Sequence, residues 1–414
     1  MANLLYLVHR LPFPPNKGDK VRSYHLLKHL AQRHRVFLGT FADDPDDLQH
    51  VPVLQALCAD VQVCNLSPRR AKLKSLLALI TGEPLTLRYY HDAALARWVR
   101  QTLATQAIDA VVVFSSSMAQ YAPPSIGLPI LVDLVDVDSA KWTQYAQMHA
   151  WPLSWLYRRE GAQLLRYEET VVRSAQRSFL VTEQEVALLN TLAPGTQGHV
   201  EALSNGVDAD YFAPDSARPS PYTPGESVLV FTGAMDYWPN VDAVTWFVQA
   251  MLPALRARWP ALRLHIVGRS PTPAVRALAG EAVSVSGAVP DVRPYLQHAL
   301  VAVAPLRLAR GVQNKVLEAM AMACPVVAAA QCVQALSAVP GQEILPALEV
   351  ADYLAAINNL LADAGRARAI GAAARCRVRQ DASWSAKLQG IDRHLPTSRS
   401  QAGTLSANTD WIQA

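Results

Sequence analysis

The chain has 414 residues, too many for one core of ordinary size, so two domains or three are expected. Its composition, 51% hydrophobic and 17% charged, excludes a disordered or fibrous chain and leaves a compact globular one. The formal net charge is +4, and Lys and Arg are scattered in small clusters, which excludes the dense basic face of a nucleic-acid binder.

From the N-terminus, "NLLYLV" (3 to 8) reads as a buried strand. The Pro- and Gly-rich loop "RLPFPPNKGDK" leads from it into the helical pattern "VRSYHLLKHLAQRH", and "RVFLGTF" is the next strand. This is a βαβ opening with a glycine loop, Gly18 included, where open α/β sheets admit a ligand. The acidic "DDPDD" (43 to 47) reads as a solvated loop. "AVVVFSSS" (110 to 117) and "PILVDLVDVDS" (129 to 139) are continuous apolar runs, as expected of parallel strands covered on both faces. Pro194 to Ser227 is crowded with Pro, Gly, Ser and Asp and reads as a hinge.

The alternation then restarts. "SVLVFTG" and "LRLHIVG" are strands around one helix, "NVDAVTWFVQAMLPALRARWP", kinked at Pro253, and "AVSVSGAV", "ALVAVAPL" and "CPVVAAA" are three more strands. The expected organisation is an N-terminal Rossmann-like domain over 1–195, a linker region over 196–227 and a second Rossmann-like domain over 228–382. An amphipathic helix over 383–395 follows, then an aperiodic tail over 396–414. The five cysteines, Cys58, Cys64, Cys324, Cys332 and Cys376, form no C-x-x-C pair, which fits reduced thiols in a cytosol better than a disulfide framework or a zinc site. "MANLLYLVHR" is too short in apolar residues for a signal peptide, and no run reaches the roughly 20 residues of a membrane span. A cytoplasmic chain is therefore expected.

The segment "RLARGVQNKVLEAMAMACPVV" (307 to 327) carries the most specific chemistry. Gly311, Lys315 and Glu318 stand at i, i+4 and i+7, on one face of a helix that begins near Gly311. A helix N-terminus offers N–H groups and partial positive charge to a phosphate; Arg307, Arg310 and Lys315 add cations, and Glu318 is an acceptor for two ribose hydroxyls. The pattern reads as a nucleoside diphosphate site. The alternative is that the arginines are solvated and that Glu318 pairs with Lys315.

This segment resembles the donor-binding signature of family 4 retaining glycosyltransferases of the GT-B fold, which ends in a glutamate followed by "AMA" and "PVV". "LSNGVDADYFAP" (203 to 214), "FTGAMDYWPNVDAVTWF", "LHIVG" and "SGAVPDVRPYL" are similar to further elements of that family, in its order. More narrowly, "PFPPNKGDKVRSYHLL" and "VDLVDVDSAKW" resemble sugar transferases of PEP-CTERM/exosortase exopolysaccharide systems. The resemblance implies two Rossmann-like domains facing across a cleft, with a C-terminal helix crossing back to the first. It implies sugar transfer from a nucleotide sugar to an acceptor hydroxyl with retention, Gly18 and Gly233 at the donor phosphates, and no cofactor or metal. Arg310 stands where the signature has its first glutamate, Ala234 and Pro239 where it has the diphosphate-binding Arg and Lys, and Asp19 where the N-terminal loop has its second glycine. Arg307, Arg310 and Lys315 are therefore expected to hold the diphosphate instead.

On the acceptor side, Asp136 and Asp138 are the candidate catalytic carboxylates, with Lys141 beside them. They serve equally well as helix caps paired with Lys141. Their Asp-x-Asp form also suits a metal, which the two-domain pattern disfavours. "RRAKLKSLLALITGEPLTLRYY" (69 to 90) and "WPLSWLYRREGAQLLRY" (151 to 167) mix cations with apolar residues, as expected at the inner face of a membrane holding a lipid-linked acceptor, or of basic helices packed on their own domain. A nucleotide-sugar epimerase and a non-catalytic nucleotide-sugar-binding protein share the expected fold and remain as alternatives.

Overall fold

A computed structural model describes residues 1–15, 18–308 and 312–396. Arg310, Gly311 and nearly all of the expected tail lie outside them. The chain forms two compact units, Met1–Ser204 together with residues from Leu388 onward, and Asn205–Lys387.

The first unit is built on seven strands, β1 (Asn3–Val8), β2 (Arg35–Ala42), β3 (Asp60–Asn65), β4 (Ala110–Phe114), β5 (Ile130–Val135), β6 (Arg177–Leu180) and β7 (Val200–Ala202). All pair in parallel, in the order β3-β2-β1-β4-β5-β6-β7. The apolar runs of β1 and β4 are buried almost throughout, as strands covered by helices on both faces must be. Between β1 and β4 the strand order reverses, and β1 is followed by the helix Gly18–Ala31. That helix carries two buried cations: Lys20 pairs with Asp47 at 2.5 Å, and Arg22 donates to both oxygens of Asp133 on β5, at 2.7 and 3.1 Å. "DDPDD" is therefore not simply a solvated loop. Asp47 is buried against Lys20, because a buried ammonium needs a carboxylate beside it, and Asp43 takes a hydrogen bond from Arg10 at 2.9 Å, while Asp44, Pro45 and Asp46 are exposed.

The second unit has six parallel strands, β8 (Ser227–Thr232), β9 (Leu262–Val267), β10 (Val283–Gly287), β11 (Val301–Ala304), β12 (Val326–Ala329) and β13 (Leu345–Ala347). Their order is β10-β9-β8-β11-β12-β13, with the reversal between β8 and β11. The expected kinked helix is two helices, Trp238–Ala250 and Leu252–Arg258, with Pro253 in the first turn of the latter, where its missing N–H costs nothing. Near the unit's start, Val207 pairs with Ser383, and its N–H reaches the Ala382 carbonyl at 2.8 Å. The helix Trp384–Asp392 begins there and carries the chain back into the first unit. A Cβ on Gly206 would lie 2.6 Å from the Trp384 backbone nitrogen, so this crossing of two backbones admits glycine alone.

Gly206→Ala is expected to lower the stability of the second unit by about 3 kcal/mol, since backbone atoms cannot yield as a flexible side chain can. Urea unfolding followed by tryptophan emission checks it, and a midpoint equal to that of the wild type would refute it.

Candidate functional site

Open α/β sheets bind ligands at the carboxyl ends of their strands where the order reverses. In the second unit that place is the end of β8 and β11. Gly233 follows β8, and Gly268, which follows β9, lies so close behind it that a Cβ on Gly268 would overlap the Gly233 carbonyl oxygen. The β8 turn is thereby pressed into one conformation, with bare backbone facing outward.

The helix Asn314–Ala321 follows β11. Its buried stripe, Val316, Leu317, Met320 and their neighbours, packs on the sheet, and the Gln313 side chain makes no capping hydrogen bond at its start. Lys315, in the first turn, reaches back to β8: its Nζ lies 4.3 Å from the centre of the Phe231 ring and 3.0 Å from where a Gly233 Cβ would stand. Nζ donates to Asn240 Oδ1 at 2.5 Å, while Asn240 Nδ2 donates to the Ala234 carbonyl at 2.8 Å. Asn240 is only 5% exposed, so the second bond dictates which end of its amide meets the lysine.

Among the described residues Lys315 has no carboxylate within ion-pair distance. Burial pushes its ammonium down to about 7, against weaker opposing effects of Cys332 and Glu318. Glu318, one turn along, is pushed up to about 7 by burial, which Lys315 partly opposes. A half-buried ammonium on bare backbone, an aromatic face and a neutral amide is a site awaiting an anion.

Arg307 is placed otherwise. Its guanidinium forms an ion pair with Asp242 and stacks over Trp246 at 5.4 Å, on a different face of the helix Trp238–Ala250 from Asn240. A diphosphate would have to draw it away from that carboxylate. Arg310 and Gly311 fall outside the described residues. The alternative, a Glu318–Lys315 ion pair, does not form; the lysine turns toward Asn240 instead. Sequence reasoning missed Asn240. Nothing in "DYWPN" signals it, because its partner Lys315 comes from another strand end, 75 positions away.

In the first unit, Gly18 opens its helix with free space around its Cβ position. Asp19 beside it is held well below the usual carboxylate range: burial works against this, but His9, 3.4 Å away, and Arg10, 2.5 Å away, outweigh it. Asp136 and Asp138 both take Lys141 as partner, at 2.9 and 3.0 Å. Neither caps the helix Asp138–Met148. Its first N–H groups go to other acids: Val137 N donates to Glu185 at 2.8 Å and Ser139 N to Glu168 at 3.2 Å. Burial, reinforced by Asp138, raises Glu168 to about 8. The described residues contain no His, Cys, Asp and Glu group suited to a metal ion.

Residues 226–363, inside the second unit, match the family model for glycosyl transferases group 1. No curated protein sequence matches the chain. Among solved structures, sucrose-phosphate synthase from Thermosynechococcus elongatus superposes with a TM-score of 0.70 at 18% identity, over 95% of this chain and 98% of that one. HepE from Anabaena, in complex with UDP and glucose, gives 0.65 at 15% identity over 95% and 99%. WaaG, a glycosyltransferase involved in lipopolysaccharide biosynthesis, gives 0.60 at 16% identity over 94% and 99%. The fold is thus that of the GT-B glycosyltransferases, two parallel-sheet α/β units in one chain.

Between the Lys315 value of about 7 and the ordinary lysine value of 10.5, the folded state holds fewer protons than the unfolded one, so this residue makes stability rise with pH across that window and fall as pH drops through about 7. Comparing urea midpoints between pH 7.5 and 9, both Lys315→Met and Asn240→Asp are expected to flatten the rise, the second by giving the ammonium a carboxylate. Slopes equal to wild type in both variants would contradict the assignment.

Proposed function

We propose that the chain is a glycosyltransferase of the family 4 type, moving a sugar from a nucleoside diphosphate sugar to an acceptor hydroxyl with retention of configuration. The observation that carries this reading is the Lys315 ammonium held at the β8–β11 reversal without a carboxylate, within the segment matching group 1 glycosyl transferases. That HepE was solved with UDP and with UDP-glucose supports a nucleotide sugar as the donor.

In this reading the diphosphate lies over Gly233 and the first turn of the helix Asn314–Ala321. Lys315 is protonated as the anion arrives and stabilises the charge that grows on the leaving diphosphate, work that preorganised donors perform without a metal. Glu318 takes the ribose hydroxyls as a carboxylate, a state that the recharged Lys315 favours. Asp136 or Asp138, oriented by Lys141, receives or orients the acceptor hydroxyl. The resemblance in "PFPPNKGDKVRSYHLL" and "VDLVDVDSAKW" supports a surface exopolysaccharide as the product and a glycan or lipid-linked acceptor.

Incubation with nucleotide sugars, followed by mass spectrometry, is expected to give free nucleoside diphosphate and a glycosylated product. An isomerised donor would point to an epimerase, and an intact donor to a binding protein. Lys315→Ala is expected to lower kcat/KM about 100-fold or more. Asp136→Asn or Asp138→Asn should lower kcat while leaving donor affinity unchanged.

Because Lys315 must gain a proton to meet the diphosphate, UDP binding at pH 8 is expected to take up protons and to weaken as pH rises above about 7. Calorimetry in buffers of different ionisation heat reads this directly. Binding heats independent of buffer would contradict it, as would uptake that persists in Lys315→Met.

A further inference from the structure

Between Pro68 and Tyr89 the first unit carries three short helices, Pro68–Ser75, Ala78–Thr81 and Leu85–Tyr89. Their polarity is inverted. The residues turned inward are the small Ala71, Ser75 and Ala78, while the large aliphatics face out, Leu73 at 71% exposure and Ile80 at 86%. A surface helix in water buries its large apolar residues and exposes its small ones. The inversion is not a matter of loose attachment. Glu160, fully buried on the helix Leu153–Ser174, accepts from the N–H groups of Leu85 and Thr86 at 2.6 and 2.9 Å and from the Thr86 hydroxyl at 2.7 Å. Arg159 beside it donates to the carbonyls of Ala78 and Glu83 at 2.7 and 3.2 Å. The segment is clamped with its aliphatics outward.

The clamping helix extends the same face. Trp155 stands one turn before Arg159 on the same side, half exposed, and Trp151 just ahead of the helix is 80% exposed. Arg69, Arg70, Lys72 and Lys74 are interleaved with the aliphatics, and no acidic residue occurs between Pro68 and Thr81. Cations without acids, aliphatics and exposed tryptophans together match one environment, the boundary between anionic headgroups and acyl chains. No helix among the described residues is long and apolar enough to cross a membrane, so the contact is with a surface.

We infer that this face docks on an anionic lipid bilayer. The inference deepens the proposed function, since a lipid-linked acceptor hydroxyl is presented at such a surface, but its test does not depend on sugar transfer. The full chain is sedimented with vesicles of phosphatidylcholine alone and with phosphatidylglycerol added. Binding is expected only to the anionic vesicles, lost at high salt. Leu77→Asp with Ile80→Asp, and separately Lys72→Glu with Lys74→Glu, should each lower the bound fraction about tenfold or more. Melting temperature and UDP affinity should be unchanged, because all four side chains lie in the first unit and outside the donor site. Wild-type chain that ignores anionic vesicles, or aspartate variants that bind as well as wild type, would overturn the inference. So would a wild-type dimer that Ile80→Asp converts to monomer, which would make a second copy the occupant of the face. Vesicle binding without sugar transfer upholds the docking and removes the enzyme reading; transfer without vesicle binding does the reverse.

Discussion

An ammonium held by a neutral amide is the constraint on which the candidate site of the second unit depends. Lys315 gives up much of its hydration to sit over Phe231, and Asn240 returns one hydrogen bond without returning charge. An aspartate at Asn240 would satisfy the lysine better and leave nothing for an anion to do. The local fold serves this arrangement. Gly268 presses on Gly233, the bare β8 turn leaves room for Nζ, and the buried Asn240 amide is oriented by the Ala234 carbonyl.

The first unit handles its cations in the opposite way. Arg22 is matched by Asp133, Lys20 by Asp47, Lys141 by Asp136 and Asp138, and Arg10 by Asp19 and Asp43. The two fully buried pairs, Arg22–Asp133 and Lys20–Asp47, contribute little net stability, since desolvation offsets most of their attraction, but they are costly to break and so hold elements in register. The cations near the strand ends of the first unit are thus matched by acids, whereas Lys315 at the reversal point of the second is not.

Much of this was legible in the sequence. The strands are continuous apolar runs, and each one named from them is present, because burial on both faces leaves no other pattern. Lys315 was legible because it stands at a fixed offset from Glu318 and the "AMA" that follows it. The role of Arg307 was not, since its partner Asp242 lies 65 positions away on another helix and only the fold brings them together. Asn240 was hidden for the same reason: as a buried amide in "YWPN" it has no local signature, and its meaning appears only when Lys315 arrives from the far side of the β8–β11 reversal. The acidic stretch at 43–47 was legible as solvated at Asp44 to Asp46 and not at Asp47, because composition cannot show that Lys20 is buried against it.

The turn that presents Asp136 shows how the buried pairs and the site are linked. Val135, at the end of β5, has φ of 69°, a left-handed conformation that a β-branched residue adopts only at a cost of about 1–3 kcal/mol. Asp133 Oδ1 meets this cost from one side by accepting from Val135 N at 3.2 Å, and the same oxygen accepts from Arg22 at 3.1 Å. Glu185 holds the other side through Val137 N. The register of β5 against β6 shifts at this point, so the chain leaves the sheet early and turns Asp136 and Asp138 toward Lys141 instead of continuing the strand. A carboxylate pair that merely capped a helix would need none of this, because an ordinary Asp or Ser at the N-cap suffices. The strain is held in place by a buried arginine reaching across from the first helix. It therefore has a positional purpose: it sets where two acids stand at the carboxyl end of the sheet.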